Sequence, residues 1–181
     1  MELCERGDLA GRIKKCQRMR RRVDERTIWA NMVEMAEGIA HLHSKNIYHR
    51  DMKPANVFLA ADGTAKLGDL NVSKLTKGDD LMQTKIGTPY YMAPEVWDGR
   101  KYDGACDVWS IGTVVYELAA LEPPFQGQSL MQLKRAVKAG RYSPIPSSYS
   151  SELSRMISLM LITDPSRRLT AQEIVDHDMV K

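Results

Sequence analysis

The 181-residue sequence predicts a mainly α-helical fold carrying one short β-hairpin. Three observations carry that expectation. Ile28, Met32, Met35, Ala36, Ile39 and Leu42 recur at helical spacing and give one long segment an apolar stripe. A second stretch, through Val108, Trp109, Ile111, Val114, Val115, Tyr116 and Leu118, is apolar on nearly every side, as a buried helix is. Val57-Phe58-Leu59 and Ala65-Lys66-Leu67 look like two short strands, and Asp62-Gly63 between them is a hairpin-turn signal.

Each element has a local reason. Asp8 is a good N-cap for a first helix through Leu9, Ile13 and Cys16. Thr27 is read as the cap of the second, striped helix, which ends near Lys45-Asn46. Residues 72–92 are polar and read as a loop. Asp107 is expected to open the buried helix and Pro123-Pro124 to end it. Amphipathic helices are expected at roughly 128–139, 151–161 and 170–176. The length suffices for one domain with a sizeable core.

Composition excludes little and implies little. The net charge of +3 is mild, but Lys14, Lys15, Arg18, Arg20, Arg21 and Arg22 crowd one segment. Such a run can touch nucleic acid or anionic lipid; more often it is a solvated helix end, and neither a nucleic-acid nor a membrane partner is expected. Cys4, Cys16 and Cys106 have no metal-ligand spacing and fit a reducing compartment. Glu2, Cys4, Glu5 and Arg6 interrupt any apolar run at the start, so no signal peptide is expected. No stretch approaches the roughly 18 apolar residues of a membrane span.

Chemistry concentrates in His49-Arg50-Asp51-Met52-Lys53-Pro54-Ala55-Asn56, which reads H-R-D-x-x-x-x-N. Asp51 can accept the proton of a hydroxyl attacking the γ-phosphate of ATP, and Asn56 can reach a magnesium ion on the phosphates. The ammonium of Lys53 can neutralise charge on the transferred phosphoryl group. Pro54 stiffens the turn between them. Alone, the run would also read as a charged surface turn after a helix. Asp69 follows the second strand 18 positions beyond Asp51 and can supply the metal carboxylate that complements the Asn56 amide. Ala93-Pro94-Glu95 reads as the end of an activation segment. Within that segment Thr84 is a candidate phosphosite with Arg50 as its partner, and the Thr88 hydroxyl could bond Asp51 and Lys53. For both threonines the ordinary alternative is a loop hydroxyl. Asp107 would be costly to bury unpaired, so it is expected to bond backbone amides of the 49–56 loop. Arg168 is expected to pair with Glu95 across 73 residues of sequence, its planar fork suiting a carboxylate.

Together His49, Asp51, Asn56, Asp69, Ala93-Pro94-Glu95, Asp107-Val108-Trp109-Ser110 and Asp164 to Arg168 resemble, in order and spacing, a eukaryotic protein kinase over essentially the whole chain. Lys53 with Gly87-Thr88-Pro89 resembles the serine/threonine branch. Lys66-Leu67-Gly68-Asp69-Leu70-Asn71-Val72-Ser73-Lys74, Gly87-Thr88-Pro89-Tyr90-Tyr91 and Leu121-Glu122-Pro123-Pro124-Phe125 resemble the NIMA-related kinases. The usual D-F-G stands here as Asp69-Leu70-Asn71; asparagine tolerates the left-handed backbone best after glycine. The resemblance implies the C-terminal (large) lobe of the kinase fold: residues 1–8 as hinge, 49–56 as catalytic loop, 69–95 as activation segment and 96–181 as helical subdomain. It implies ATP and Mg2+ as cofactors and protein substrates bearing serine or threonine. Glu2 and Cys4 would offer backbone atoms to adenine, Asp8 would meet the ribose and Phe58 would lie under the ring. Arg50 before Asp51 implies control by phosphorylation, with Thr84 the matching position. A cytoplasmic protein is expected, with the cytoskeleton, cilium or nucleus, and microtubule or basal-body partners, implied by the resemblance alone.

One departure matters. No G-x-G-x-x-G occurs in the 181 residues, and Met1 falls where the hinge begins, so the N-terminal lobe is expected to be absent. The chain is therefore expected to be a fragment of an active kinase, weak or inactive by itself. The alternative is a truncated, non-catalytic product that binds partners. A nucleic-acid binder through the basic run leaves the acidic loop unexplained.

Overall fold

The computed structural model describes residues 4–68, 89–101 and 103–180. Glu2, Asp69, Leu70, Asn71, Thr84 and Thr88 lie outside them. The described residues are mainly helical, with one two-stranded antiparallel sheet. No described helix is long and apolar enough to cross a membrane.

Helix α1 (Leu9–Met19) starts where the Asp8 carboxylate accepts the Gly11 amide at 2.8 Å, and buries Leu9 and Ile13. Helix α2 (Glu25–Ser44) buries Ile28, Met32, Met35, Ala36 and Ile39 completely. Its cap is Asp24, which accepts the Arg26 amide at 3.0 Å, and not Thr27. A carboxylate at that position both caps the free amides and complements the positive end of the helix dipole, so the helix starts earlier.

The strands β1 (Val57–Leu59) and β2 (Ala65–Leu67) pair in the register Val57↔Leu67, Phe58↔Lys66 and Leu59↔Ala65. The turn closes through Ala60 N–H to the Thr64 carbonyl at 3.0 Å, with Gly63 left-handed at φ 100° and Asp62 accepting the Thr64 amide. That backbone favours the glycine found there. Residues 6–8 run beside β1: Arg6 N–H donates to the Leu59 carbonyl at 3.2 Å, Leu59 N–H to the Gly7 carbonyl at 2.8 Å, and Asp8 bridges Phe58. Glu34 of α2 fixes the hairpin from the other side, accepting the Ala65 amide at 2.7 Å and the Asn31 amide at 3.1 Å.

After the short α3 (Pro94–Trp97), α4 (Gly104–Ala120) runs through the centre of the core. Asp103 caps it, so Asp107 stands in its first turn rather than at its start. The helix ends at Leu121, left-handed at φ 62°, before the prolines are reached. Helices α5 (Leu130–Ala139), α6 (Ser151–Met160) and α7 (Ala171–Val175) start at Ser129, Ser150 and Thr170, each accepting an amide of the first turn. α2 packs on α4 and α7, and α4 on α6. Trp109 of α4 stacks on Phe125 with ring centroids 5.3 Å apart.

Candidate active site

The long apolar stripe of α2 decides where the site lies. Once that face is buried on α4, the chain leaving Ser44 must pass the first turn of α4, where Asp107 sits fully buried. An isolated carboxylate there would be very costly. It is satisfied by the loop: Oδ2 accepts His49 N–H at 3.0 Å and Oδ1 accepts Arg50 N–H at 3.0 Å. His43, near the end of α2, adds its Nε2 at 2.9 Å from Oδ2. Arg50 needs that grip. Its backbone is left-handed at φ 67°, which costs a non-glycine residue about 1–2 kcal/mol. Two amide bonds to a buried carboxylate outweigh that cost.

The buried ring of His49 holds both ends of the loop. Its Nδ1 accepts Asp51 N–H at 3.4 Å and its Nε2 donates to the Gly68 carbonyl at 3.1 Å. A neutral ring with its proton on Nε2 makes both bonds. Gly68 is thereby fixed, immediately before Asp69. Gly68 N–H in turn donates to the Asn56 carbonyl at 3.0 Å.

Three side chains converge within this frame. Lys53 Nζ donates to Asp51 Oδ2 at 2.7 Å. Asn56 Nδ2 donates to the Asp51 carbonyl at 2.7 Å and to Asp51 Oδ2 at 3.1 Å. Pro54 opens the 3-10 turn Pro54–Asn56 that brings Asn56 back over Asp51. The result is a carboxylate held between an ammonium and an amide, with Asp51 and Lys53 partly open to solvent and Asn56 buried. Fixing the Asn56 amide nitrogen on Asp51 leaves its amide oxygen as a hard donor, the type magnesium prefers.

Phe58 lies two residues on, its ring against Gly68; a Cβ on Gly68 would come within 2.4 Å of it. The bridge to Asp8 and the bonds of Arg6 and Gly7 bring residues 6–8 alongside β1, so Asp8 and Phe58 meet at one edge of the hairpin, and Cys4 lies two residues before Arg6. Asp8 Oδ1 is already engaged as the cap of α1.

Glu95 and Arg168 meet in the core, Nη1 to Oε1 at 2.6 Å and Nη2 to Oε2 at 3.0 Å. Arg168 also donates to the carbonyls of Ile162 and Ala105 at 2.9 and 2.7 Å, and stacks 5.0 Å over the Trp109 ring. Burial by itself would push the Glu95 carboxyl up, but the hydrogen bonds and charge of Arg168 outweigh it and hold it below the ordinary range. The pair ties residues 93–97 to the far end of the chain.

The sequence pattern did not single out His43, nor Glu117 with Tyr91. Tyr91 Oη donates to Glu117 Oε2 at 2.8 Å, and Ser110 Oγ donates to the Tyr91 carbonyl at 2.9 Å, anchoring the segment after residue 89 on α4. Burial raises the Glu117 carboxyl above its ordinary range, the Tyr91 bond offsetting it in part. The available signal in the sequence is a lone glutamate on an otherwise apolar helix.

The family model described as protein kinase domain matches residues 1–180. "Probable serine/threonine-protein kinase nek2" of Dictyostelium discoideum is 41% identical over 99% of this chain and 44% of its own length. "Serine/threonine-protein kinase Nek2" of Homo sapiens is 36% identical over 99% of this chain and 42% of its own. "G2-specific protein kinase nimA" of Emericella nidulans is 31% identical over 100% of this chain and 30% of its own. The chain thus spans less than half the length of these relatives.

Proposed function

Because the chain belongs to the protein kinase family, in its NIMA-related serine/threonine group, we propose that the loop at 49–56 transfers the γ-phosphate of ATP to serine or threonine of protein substrates. The observation that carries this reading is the convergence of Lys53 and Asn56 on the Asp51 carboxylate, at 2.7 and 3.1 Å, on a loop clamped by Asp107.

Asp51 orients the acceptor hydroxyl and takes its proton as the oxygen bonds to the γ-phosphorus. The bond from that phosphorus to the β–γ bridging oxygen breaks, and ADP leaves. Lys53, already beside Asp51, neutralises charge on the phosphoryl oxygens in flight. Asn56 and Asp69 would hold magnesium, which supplies charge neutralisation across the phosphates when bound. Glu2, Cys4, Asp8 and Phe58 serve the adenosine, the last by offering a ring face. Thr84, with Arg50, serves as the regulatory phosphosite, and Thr88 steadies the acceptor beside Asp51 and Lys53. The resemblance to NIMA-related kinases further suggests microtubule or basal-body partners and a cytoplasmic or cytoskeletal place.

We read the 181 residues as a large lobe. The mainly helical build and single hairpin of the described residues, and the lack of any G-x-G-x-x-G within the sequence, support this. A glycine-rich loop and strand lysine supply much of the positioning on which phosphoryl transfer depends. The test is γ-phosphate transfer to a general protein acceptor by these 181 residues alone and joined to the small lobe of a NIMA-related relative. Weak or no transfer alone and robust transfer when joined is expected. No transfer in the joined protein, with folding intact, would favour the alternative of a non-catalytic binding protein.

A further inference from the structure

Charge is sharply segregated in this molecule. Residues 9–23 carry Arg12, Lys14, Lys15, Arg18, Arg20, Arg21 and Arg22 and no acid. With +3 for the whole sequence and +7 for this segment, the rest carries −4. In the fold, Lys14, Lys15, Arg18, Arg20, Arg21, Arg22 and Arg26 are all exposed, on α1, the turn after it and the first turn of α2.

The two local acids, Asp24 and Glu25, form no ion pair with them among the described residues and leave the patch a net excess of positive charge. Asp24 caps α2 through the Arg26 amide, and Glu25 is taken by Ser150 and by the Trp29 ring nitrogen. No residue of the group forms an ion pair among the described residues. Arg22 reaches Ser148, in a loop whose residues 141–150 hold no acid and add Arg141. One or two cations at the end of α1 would satisfy its dipole. Seven of one sign crowded into residues 14–26 repel. Arg20 also occupies the left-handed position that closes α1, at φ 50°, where glycine fits best. Folding alone would favour other residues there.

The chemistry of the patch narrows its partner. Five of the seven cations are arginines, whose forks take a carboxylate or a phosphate two oxygens at a time. No exposed aromatic ring accompanies them as a stacking platform for single-stranded nucleic acid: Tyr149 is half-buried with its hydroxyl on the Val23 carbonyl, and Trp29 is bonded to Glu25. Met19 is the one large apolar side chain exposed among them, too little for membrane insertion. We propose that the end of α1 and the turn into α2 form a docking surface for an acidic, unstructured protein segment. The surface is independent of the phosphoryl-transfer reading.

The test is fluorescence anisotropy of a labelled, disordered peptide of about fifteen residues, mostly glutamate, titrated with the protein at low and physiological salt. Binding should weaken by more than about tenfold as salt rises through the range where the Debye length shrinks. The triple variant Lys15→Glu, Arg18→Glu, Arg21→Glu should abolish it. Arg100→Glu, Lys101→Glu, Arg155→Glu, an equal charge change at exposed sites elsewhere, should leave affinity within about threefold. Circular dichroism and thermal unfolding establish that both variants are folded. Equal loss in the two variants would reduce the effect to net charge and overturn the proposal. So would tight, patch-dependent binding of an RNA oligomer or of phosphatidylserine vesicles with none of the peptide.

Discussion

Asp107→Asn isolates the clamp on the loop. The carboxylate accepts bonds that include those from His43 Nε2 at 2.9 Å, His49 N–H at 3.0 Å and Arg50 N–H at 3.0 Å. An asparagine has one acceptor oxygen. If that oxygen faces His43 and His49, its NH2 faces the Arg50 amide, donor against donor. The change loses one charge-assisted bond, about 1.5–3 kcal/mol, and leaves a shielded amide unsatisfied, about 1–3 kcal/mol. The left-handed Arg50 then relaxes and returns part of its strain, about 1–2 kcal/mol. A net loss of about 2–4 kcal/mol is expected, a large share of an ordinary domain's stability. Urea unfolding gives the loss, and hydrogen exchange locates it: the His49 and Arg50 amides should lose more protection than the core of α4. A loss below about 1 kcal/mol, with those two amides as protected as before, would refute the reasoning.

Other expectations follow from neighbouring contacts. Arg168→Met should cost about 3–5 kcal/mol in urea unfolding by leaving Glu95 buried and unpaired, and Glu95→Gln with Arg168→Met should recover part of it. Because the folded Glu95 titrates below its ordinary value of 4.5, the pair's contribution is complete above that pH and drains away as pH falls through the lower, folded value. Glu95→Gln should therefore flatten the acid limb of the stability profile, and an unchanged limb would contradict this. His43→Ala removes one donor from Asp107 and should speed exchange at His49 with a modest loss, about 1–2 kcal/mol. Gly68→Ala puts a methyl within 2.4 Å of the Phe58 ring; thermal unfolding should fall by several degrees, and an unmoved ring at unchanged Tm would count against the packing described.

Much of the fold was legible because it rests on short-range signals. The strands fall at 57–59 and 65–67 because Asp62-Gly63 supplies the left-handed turn between them. The helices near 128–139, 151–161 and 170–176 were readable from their amphipathic runs, and the structure adds Ser129, Ser150 and Thr170 as their caps. Helix starts were less legible. Asp24 and Thr27 are both competent caps three residues apart, and the carboxylate prevailed. Asp103 likewise displaced Asp107 as the start of α4. At the site, the need of buried charges for partners made the bonding of Asp107 and of Glu95 with Arg168 arguable beforehand. What sequence spacing could not supply was contact between distant elements. His43 reaches Asp107 only because α2 crosses the start of α4, and Glu117 meets Tyr91 only because the chain after residue 89 lies on the same helix. The places of Glu2, Asp69, Thr84 and Thr88 lie outside the described residues.

The most direct test of the proposed chemistry is a comparison of transfer and binding in one protein. The 181 residues joined to a NIMA-related small lobe, with and without Asp51→Asn, are assayed for γ-phosphate transfer to a serine/threonine acceptor and for affinity toward Mg·ATP. The account predicts that Asp51→Asn lowers transfer by at least about 10²–10⁴-fold while nucleotide affinity changes little, since Asp51 serves the hydroxyl. Transfer that survives Asp51→Asn would contradict it, and would place the base elsewhere.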